Sequence, residues 1–375
     1  MMAIKYKKNP LLFLIGGLFG LSILIAGCLD GIEFDRPNTI EDGVAIQGKL
    51  VKGSPSFINV SLKQVLDFES APRLINARAV TLFDESGNSI ALDTRAEGLF
   101  FKTFPDNDPS FTIDFGKSYK IKVETFDNRT FESALESILP VPTPSSIQAK
   151  RIEKQTLNVI GDIVTSDEFV GFSISTPLEL SPGSGNVKLI WELEGVYQIT
   201  DTPETHGFRA CRGTNIDDLN KSCYITVSPS TNFIPLDGTQ LTVNSITDFN
   251  LYDLPISPLF AEGYYLRVFQ QSVTDDAFEY WSQVNQVASR TGSLFEAPAG
   301  KVKSNIINVN NPEEETFGYF YATEEKEIRA YVDPILADNP GLSCPGMLNQ
   351  GGGAPSNCCN CLTIPNSTIE RPTWW

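Results

Sequence analysis

The sequence predicts a mainly β fold of two antiparallel β-sandwich domains, Ig-like or prealbumin-like, with one helix in the second domain and a disulfide-held C-terminal tail. Two patterns support this prediction. Apolar and polar residues alternate over short runs such as Tyr119–Thr125, and turn residues separate these runs, as is typical of a sandwich. Cysteines are concentrated near the C-terminus, where this alternation has ended. We therefore expect sheets through most of the chain and covalent links at its end.

The first sandwich is predicted over residues 41–139. Val44–Val51 alternates with the period of two that is typical of a half-buried strand. Ala79–Phe83 runs into the turn-forming segment Asp84–Asn88, which predicts a hairpin. The proline-rich segment 140–146 cannot continue a central strand, so we place a linker and a domain boundary there.

The second sandwich is predicted over residues 147–335, followed by a Cys-rich tail at 336–375. Strands are expected in it at 171–176, 187–193, 224–228, 240–246, 264–271, 316–322 and 327–332. A helix is predicted over 274–290, because Thr274 is a suitable N-cap and acidic residues follow it in the first turn. Trp281 lies on the apolar stripe of this helix, and we interpret it as a core residue.

Charge and histidine content exclude several functions. The 375 residues include 29 Lys+Arg and 46 Asp+Glu, for a net charge of −17. Such an acidic chain repels phosphate backbones, so we expect no nucleic-acid partner. There is one histidine, His206, which excludes chemistry that needs two imidazoles. His206 lies in a polar, turn-like stretch, and we interpret it as a surface loop residue.

The N-terminus predicts export and lipidation. Lysines precede an apolar run over residues 11–25, which is shorter than the roughly 20 residues of a bilayer span. The run ends in Ala26, Gly27 and Cys28, which resembles the lipobox of bacterial lipoproteins. We predict a signal peptide at 1–27, an acylated (palmitate-bearing) Cys28 and a tether over 28–40. The alternative is an uncleaved N-terminal membrane anchor.

Acidic residues follow Cys28 closely, at Asp30, Glu33 and Asp35. This pattern resembles the surface-export signal of Bacteroidota lipoproteins. We therefore expect the protein in the outer membrane, held by its lipid and facing the cell exterior.

Six cysteines remain once Cys28 is set aside, and an even number in an oxidising compartment predicts three disulfides. We expect Cys211 and Cys223 to close a loop that carries Asp217 and Asp218. The tail cysteines allow three pairings, with the neighbours Cys358 and Cys359 not bonded to each other. The alternative is a zinc site of four thiolates. The six residues concerned are Cys211, Cys223, Cys344, Cys358, Cys359 and Cys361.

Several segments resemble one known family. These are Gly263–Val268, Gly292–Pro298, Gly318–Phe320 and the terminal Arg371–Trp375 that follows the tail cysteines. Together they resemble a Bacteroidota outer-membrane lipoprotein family that is catalogued only as a domain of unknown function, number 4249, and the likeness covers nearly the whole chain. The resemblance implies no enzymatic activity, and it implies an association with TonB-dependent outer-membrane receptors. It transfers no catalytic or binding residue.

The sequence shows no catalytic motif. No Gly-x-Ser-x-Gly elbow is present, and Gly351–Gly353 opens no helix, so we interpret it as a spacer. The acidic groups Asp275–Asp276 and Glu313–Glu315 are interpreted as a helix start and a turn. We predict a protein that is not an enzyme, with no cofactor and no metal.

The favoured hypothesis is a surface-exposed lipoprotein that serves as a non-catalytic accessory subunit of a TonB-dependent receptor of the starch-utilisation type, or of a related outer-membrane complex. Trp374 and Trp375 are the candidate partner-binding residues, since tryptophan often anchors interfaces. The alternative is that they pack against the second domain.

Two other hypotheses remain open. One is a glycan- or peptide-binding module for nutrient capture, with Tyr264, Tyr265 or Trp191 as aromatic platforms. The other is a hydrolase whose carboxylates meet across the domain cleft.

Overall fold

Most regular structure in the computed structural model of the protein is β-strand. The structure describes residues 43–65, 73–106, 111–158, 163–204, 211, 220–230, 233–288, 302–344 and 356–375. These residues all belong to one compact unit, Asp42–Trp375. The mainly β fold predicted from the alternating pattern is therefore confirmed.

The first ten strands precede the proline-rich segment. They are β1 Gly43–Lys52, β2 Ser56–Val65, β3 Arg73–Leu74, β4 Ala77–Asp84, β5 Ser89–Ala91, β6 Asp93–Ala96, β7 Leu99–Phe104, β8 Ser118–Thr125, β9 Thr130–Ser133 and β10 Glu136–Ser137.

The remaining strands follow it. They are β11 Ser146–Asn158, β12 Ile163–Pro177, β13 Lys188–Thr200, β14 Ser222–Val227, β15 Ile234–Asp237, β16 Ser245–Pro255, β17 Tyr264–Ser272, β18 Ile306–Asn308, β19 Thr316–Phe317, β20 Phe320–Val332 and β21 Ser367–Thr368. The α-helices of the described residues are α1 Asp275–Ala288 and α2 Ser356–Cys359, and short 3-10 turns lie at Gly238–Gln240, Pro258–Phe260 and Cys361–Thr363.

In the part of the chain that the structure describes, the strands form three sheets. The large sheet has 12 strands in the order β21-β14-β13-β17-β20-β1-β2-β7-β6, with β15, β19 and β3 attached beside this path. A 6-stranded sheet has the order β18-β9-β8-β4-β5, with β10 paired to β8. A 3-stranded sheet has the order β11-β12-β16.

Strand β20 joins the two halves of the large sheet. Its side chains alternate, and Phe320 and Ala322 pack into the first core while Ala330 and Val332 pack into the second. It pairs antiparallel with β17 but parallel with β1. This parallel pair, together with the parallel pair β1–β19, departs from the antiparallel prediction. No hairpin connects these strands, so no tight turn imposes an antiparallel direction on them.

The first core lies between the large sheet and the 6-stranded sheet. Ile46, Leu50 and Ile58 enter it from the large sheet, and Ile121 and Phe131 enter it from the smaller sheet. Each of these side chains is at most 1% exposed. Burying side chains of this size stabilises the fold by about 1.5–3 kcal/mol each.

The second core lies between the same large sheet and the 3-stranded sheet. Trp191 and Tyr264 enter it from the large sheet, and Phe172 enters it from β12. The linker predicted at 140–146 passes beside this core, where Val141 is buried and its N–H donates to Glu324 Oε2 at 2.8 Å. The division into two domains at this segment stays a prediction.

Helix α1 has nearly the bounds predicted for it. The N–H of Ala277 donates to Thr274 Oγ1 at 3.3 Å, which confirms Thr274 as the N-cap. Trp281 is 5% exposed, and its ring lies 4.2 Å from Phe233 and 5.7 Å from Tyr321 between centroids. Its interpretation as a core residue is confirmed.

The three predicted disulfides are present, but one predicted pairing is wrong. Cys211 bonds to Cys359 and Cys223 to Cys361, so Cys211 and Cys223 do not close a loop together. Each reaches across the fold to the C-terminal tail, because the short strand β21 pairs with β14 and brings the tail to this edge. The third bond joins Cys344 to Cys358, and the neighbours Cys358 and Cys359 bond elsewhere as predicted. With these thiols oxidised in the structure, the alternative of a four-thiolate zinc site is wrong.

Two strand predictions are wrong in detail. The segments 316–322 and 327–332 are predicted as separate strands, but Phe320–Val332 is one continuous strand, β20. The segment 240–246 was expected to be a strand, but β16 begins at Ser245 and continues to Pro255. Asp237 caps a 3-10 turn over Gly238–Gln240 by accepting from the N–H of Thr239 at 3.0 Å. This turn occupies the start of the predicted strand, and local side chain-to-backbone bonds of this kind compete with strand formation.

Candidate functional site

One face of the large sheet is free of both smaller sheets. Successive strand side chains point to opposite faces, so Leu266 and Val268 of β17 are buried in the second core while Arg267 and Phe269 point away from it. Helix α1 lies over part of the second surface, where Ile190, Tyr321 and Trp281 belong to a third buried cluster, and we call the rest of that surface the open face. It carries Lys49, Phe57, Phe101, Glu192, Glu194, Tyr265, Arg267, Phe269, Glu325 and Glu327.

Lys49 lies at the centre of the open face and binds two carboxylates. Its Nζ is 2.7 Å from Glu192 Oε2 and 2.5 Å from Glu325 Oε2. In the sheet, β1 and β13 are separated by β20 and β17. Along the strands, Lys49 pairs with Tyr321, whereas Glu192 pairs with Phe269 and so lies level with Glu327, six residues further along β20, or about 20 Å in a flat sheet. Lys49 and Glu192 meet because the sheet bends towards this side, so the open face is concave.

Polar groups beneath Lys49 complete this ion pair. Gln271 Nε2 donates to Glu325 Oε2 at 3.1 Å, and the Tyr321 hydroxyl donates to Gln271 Oε1 at 3.2 Å. Burial acts to lower the pKa of Lys49, but Tyr321, Glu325 and Glu192 outweigh it and raise that pKa above its ordinary value. Lys49 is therefore a permanent cation, as a buried amine is when carboxylates lie within contact distance.

Arg267 forms a second cluster of charges beside the first. It contacts Glu194, and its Nε lies 2.5 Å from Glu327 Oε1. Arg329 approaches the same oxygen at 2.6 Å. Burial alone would raise the pKa of Glu327, but the hydrogen bonds from Arg329 and Arg267 hold it below its usual range. Glu327 is therefore ionised, and both carboxylates are paired with Arg267.

A cavity of about 730 Å³ opens on this face. Its volume falls within the range of about 300–1,000 Å³ that is usual for small-molecule sites. Four partly exposed phenylalanines line it, with Phe57 on β2, Phe101 on β7, Phe269 on β17, and Phe233 just before β15. The side chains of Lys49 and Arg267 form part of its floor together with their carboxylates.

The C-terminal tail lies at one end of the open face. The Trp375 ring is 5.1 Å from Tyr224 and 5.0 Å from Tyr265, and the Trp374 ring is 5.3 Å from Tyr265. The guanidinium of Arg267 lies 5.1 Å from the centre of the Trp374 ring. Both tryptophans are partly buried. They therefore pack on the sheet, as the alternative prediction had it, and part of each ring remains exposed.

Two of the aromatic residues considered as ligand platforms are not accessible. Trp191 and Tyr264 are both 0% exposed, because they point into the second core. Tyr265 points the other way, onto the open face, where its ring lies 4.8 Å from Tyr331. The hypothesis of platforms at Trp191 and Tyr264 is therefore wrong, and only Tyr265 remains of the three.

The acidic groups considered from the sequence have structural partners. Asp275 and Asp276 lie in the first turn of α1. Asp275 Oδ1 forms an ion pair with Lys188 Nζ at 2.8 Å. Glu314 pairs with Arg129 at 3.0 Å. These positions agree with their interpretation as a helix start and a turn.

Several predicted residues lie outside the described residues. They are Cys28 with the rest of the signal peptide and tether, His206, Asp217, Asp218 and the spacer Gly351–Gly353. Their predicted roles stay predictions.

Sequence reasoning missed a buried carboxylate at Glu136, which is 3% exposed. The Tyr319 hydroxyl donates to its Oε1 at 2.6 Å, and the Thr274 hydroxyl donates to its Oε2 at 2.7 Å. Burial raises the pKa of Glu136, more than these hydrogen bonds lower it, and the charge of Asp276 adds to the rise. Its partners come from three separate parts of the chain, so no local signal marks it.

Within the described ranges, no three His, Cys, Asp or Glu side chains are grouped so that they could hold a metal ion. No helix in the described part of the chain is long and apolar enough to cross a membrane.

The fold and its open face define a mainly β, disulfide-bonded protein in which two smaller sheets pack on one large sheet. The chain belongs to the family described as "Domain of unknown function (DUF4249)", whose sequence model matches residues 30–329. The family resemblance predicted from the sequence is thereby confirmed at the level of this domain. A comparison with curated proteins found none that matches the chain.

Proposed function

We propose that this protein is a lipoprotein of the outer membrane, anchored at Cys28 and exposed to the cell exterior, that serves as a non-catalytic accessory subunit of a TonB-dependent receptor of the starch-utilisation type or of a related complex. The observation that carries the proposal is the placement of Trp374 and Trp375. They lie at the end of the chain on a sheet face that neither smaller sheet covers, and each remains partly exposed.

The tail is held in a form suited to binding. Cys359 and Cys361 tie it to Cys211 and to Cys223 of β14. Because the tail is already ordered, a partner that contacts Trp374 and Trp375 does not have to immobilise it, and such pre-organisation favours affinity. Tryptophan and arginine are also the residues most enriched among interface hot spots, and Arg267 and Arg329 both lie against the Trp374 ring.

The N-terminal sequence supports the membrane anchor. A lipobox-like segment precedes Cys28, and each CH₂ group of an attached acyl chain contributes about 0.8 kcal/mol when it enters a bilayer. Replacing Cys28 with serine should move the protein from the membrane fraction to the soluble fraction and abolish incorporation of labelled palmitate. If the C28S protein were still labelled and still sedimented with membranes, the anchor would lie elsewhere.

Affinity purification from native membranes tests the partner. We expect the tagged protein to recover an outer-membrane β-barrel protein, and the double variant Trp374→Ala/Trp375→Ala to recover much less of it. Phe126→Ala is the matched control, because Phe126 is 70% exposed and lies at the turn between β8 and β9, away from the open face. Failure of the unaltered protein to recover any barrel would contradict the proposal. Equal recovery by the double variant would show that the tail is not the contact.

A further inference from the structure

We propose that the cavity on the open face binds a neutral oligosaccharide. The inference names a site and a ligand class that the accessory role does not require, and it stands on the lining of the cavity alone. Its occupant is derived from three properties of that lining: which groups it offers, how its aromatic rings are placed, and how its charges balance.

The lining offers mainly side chains, and β6 is the one edge strand among the described strands that form it. It is formed by β6, β7, β2, β1, β20, β17 and β13, which are consecutive in the large sheet. All of these strands except β6 have a paired neighbour on both sides, so their backbone groups are committed to the sheet. An extended peptide that binds a sheet usually does so by adding a strand at an edge. A ligand in this cavity is instead recognised by side chains, which suits a chain of sugar hydroxyls better than a peptide backbone.

Aromatic rings stand on both sides of the cavity. Phe57 and Phe101 are stacked, with 6.4 Å between centroids and 29° between planes. On the other side, Phe269 lies on β17 beside Arg267, whose guanidinium is 4.8 Å from the ring centre. Partly exposed phenylalanines have no polar atom, so their rings offer flat apolar surfaces. The C–H faces of sugar rings are flat and apolar too, and their hydroxyls project around the edge.

The charges in the cavity nearly cancel. Its cations are Lys49, Arg95 and Arg267, and its anions are Glu192, Glu194, Glu325 and Glu327. Lys49 and Arg267 already pair with all four carboxylates, so a cationic ligand would have to displace one of these contacts, and an anionic ligand would meet four carboxylates with only Arg95 outside the pairs. Each paired carboxylate still has acceptor positions to offer, since an ionised carboxylate has about four. The exposed amide of Asn59 adds donors beside Phe57 and Phe101. These groups suit a hydroxyl-rich ligand without charge.

Calorimetric titration of the full-length protein tests the inference. The protein should be kept in an amine-oxide detergent, because maltoside and glucoside detergents carry sugars. The probes are maltohexaose, cellohexaose, xylohexaose and mannohexaose, with hexagalacturonate as an anionic comparison and a neutral decapeptide as a peptide comparison. We expect at least one neutral hexasaccharide to bind with a Kd below about 1 mM, and the anionic hexamer and the peptide not to bind.

Two variants locate the site. Phe101→Ala and Phe269→Ala remove rings from opposite sides of the cavity, and each should weaken binding by roughly tenfold, which corresponds to about 1.4 kcal/mol. Phe126→Ala should leave binding unchanged, and equal melting temperatures would show that all variants are folded. The inference is overturned if none of the neutral hexasaccharides binds, if only the peptide or the anionic hexamer binds, or if binding survives both ring removals. Each of these outcomes is independent of whether membranes yield a barrel partner.

Discussion

The two cores of the protein rest on the same large sheet but are closed differently. The first core is bounded by the large sheet and the 6-stranded sheet, and among the described residues no disulfide enters it. The second core includes Cys223, Cys344, Cys358 and Cys361. At its edge lies β14, and beside it lie the two-residue strand β21 and the four-residue helix α2. These last two elements are too short to be held by packing alone. The three disulfides hold these short elements in place.

The largest effect is expected from Trp191→Ala in the second core. Trp191 is 0% exposed, its ring lies 5.3 Å from Phe249, and its Nε1 donates to Gln270 Oε1 at 2.9 Å. The substitution leaves a cavity and an unpaired amide oxygen, and we expect a loss of about 4 kcal/mol in the free energy of unfolding, measured with urea. Phe126→Ala is the control and should change it by less than about 0.5 kcal/mol. A similar small loss for Trp191→Ala would mean that the second core depends on its disulfides alone.

Removal of one disulfide should destabilise the second core and leave the first core unchanged. The double variant Cys223→Ala/Cys361→Ala opens a link between residues 138 apart, and we expect a loss of about 3 kcal/mol. Hydrogen exchange should become faster in β14 and β21, while β2 and β8 of the first core keep their protection. Equal acceleration in both cores would show that the large sheet transmits the loss and that the cores are not independent.

Lys49→Met tests the coupling across the open face, since Lys49 of β1 binds Glu192 of β13 and Glu325 of β20. Without the cation, two carboxylates share one concave site, and we expect a loss of about 2 kcal/mol at pH 7, as for a partly buried ion pair that loses one partner. Lys102→Met is the matched control, because Asp93 opposite it is 75% exposed and such pairs contribute about 0–1 kcal/mol.

The smallest effect concerns pH and Glu136. Burial raises the pKa of Glu136 above its unfolded value, so its contribution to stability is present in full below the unfolded pKa and is lost as pH rises through the folded pKa. In urea titrations from pH 4 upwards, the wild type should lose stability relative to Glu136→Gln. Asp276 and Tyr319 face the same group, and their interaction with the Glu136 charge is present only in the wild type, so it is part of the measured difference. Parallel profiles would mean that the hydrogen bonds from Tyr319, Thr274 and Asn305 cancel the cost of burial.

Local patterns predicted the regular elements well. Alternation over Val44–Val51 and Tyr119–Thr125 corresponds to β1 and β8, whose buried residues occupy every second position over most of each strand. Thr274 and the acids after it predicted α1, which begins one residue later. Such features depend on neighbours in sequence, where side-chain direction and capping are decided.

The open face could not be predicted in the same way. Lys49, Glu192, Arg267 and Glu325 come from four strands spread over most of the chain, and in sequence each is an ordinary exposed charge on a strand. Glu136 likewise meets partners from three segments. Only the bend of the sheet and the order of its strands bring these groups together.

By itself, the sequence determined most of the strands, the helix, the acidic charge, the six cysteines besides Cys28 and membership of the family that matches residues 30–329. The tertiary structure decided which cysteines pair, that β20 lies parallel to β1, and that Lys49 binds Glu192 and Glu325 from strands that follow the proline-rich segment. The physical reason is the range of the interactions. Alternation and capping act within a few residues. Pairing between distant segments depends on the whole chain having folded, because the entropy lost when the intervening chain is closed into a loop is offset only by the burial of both cores.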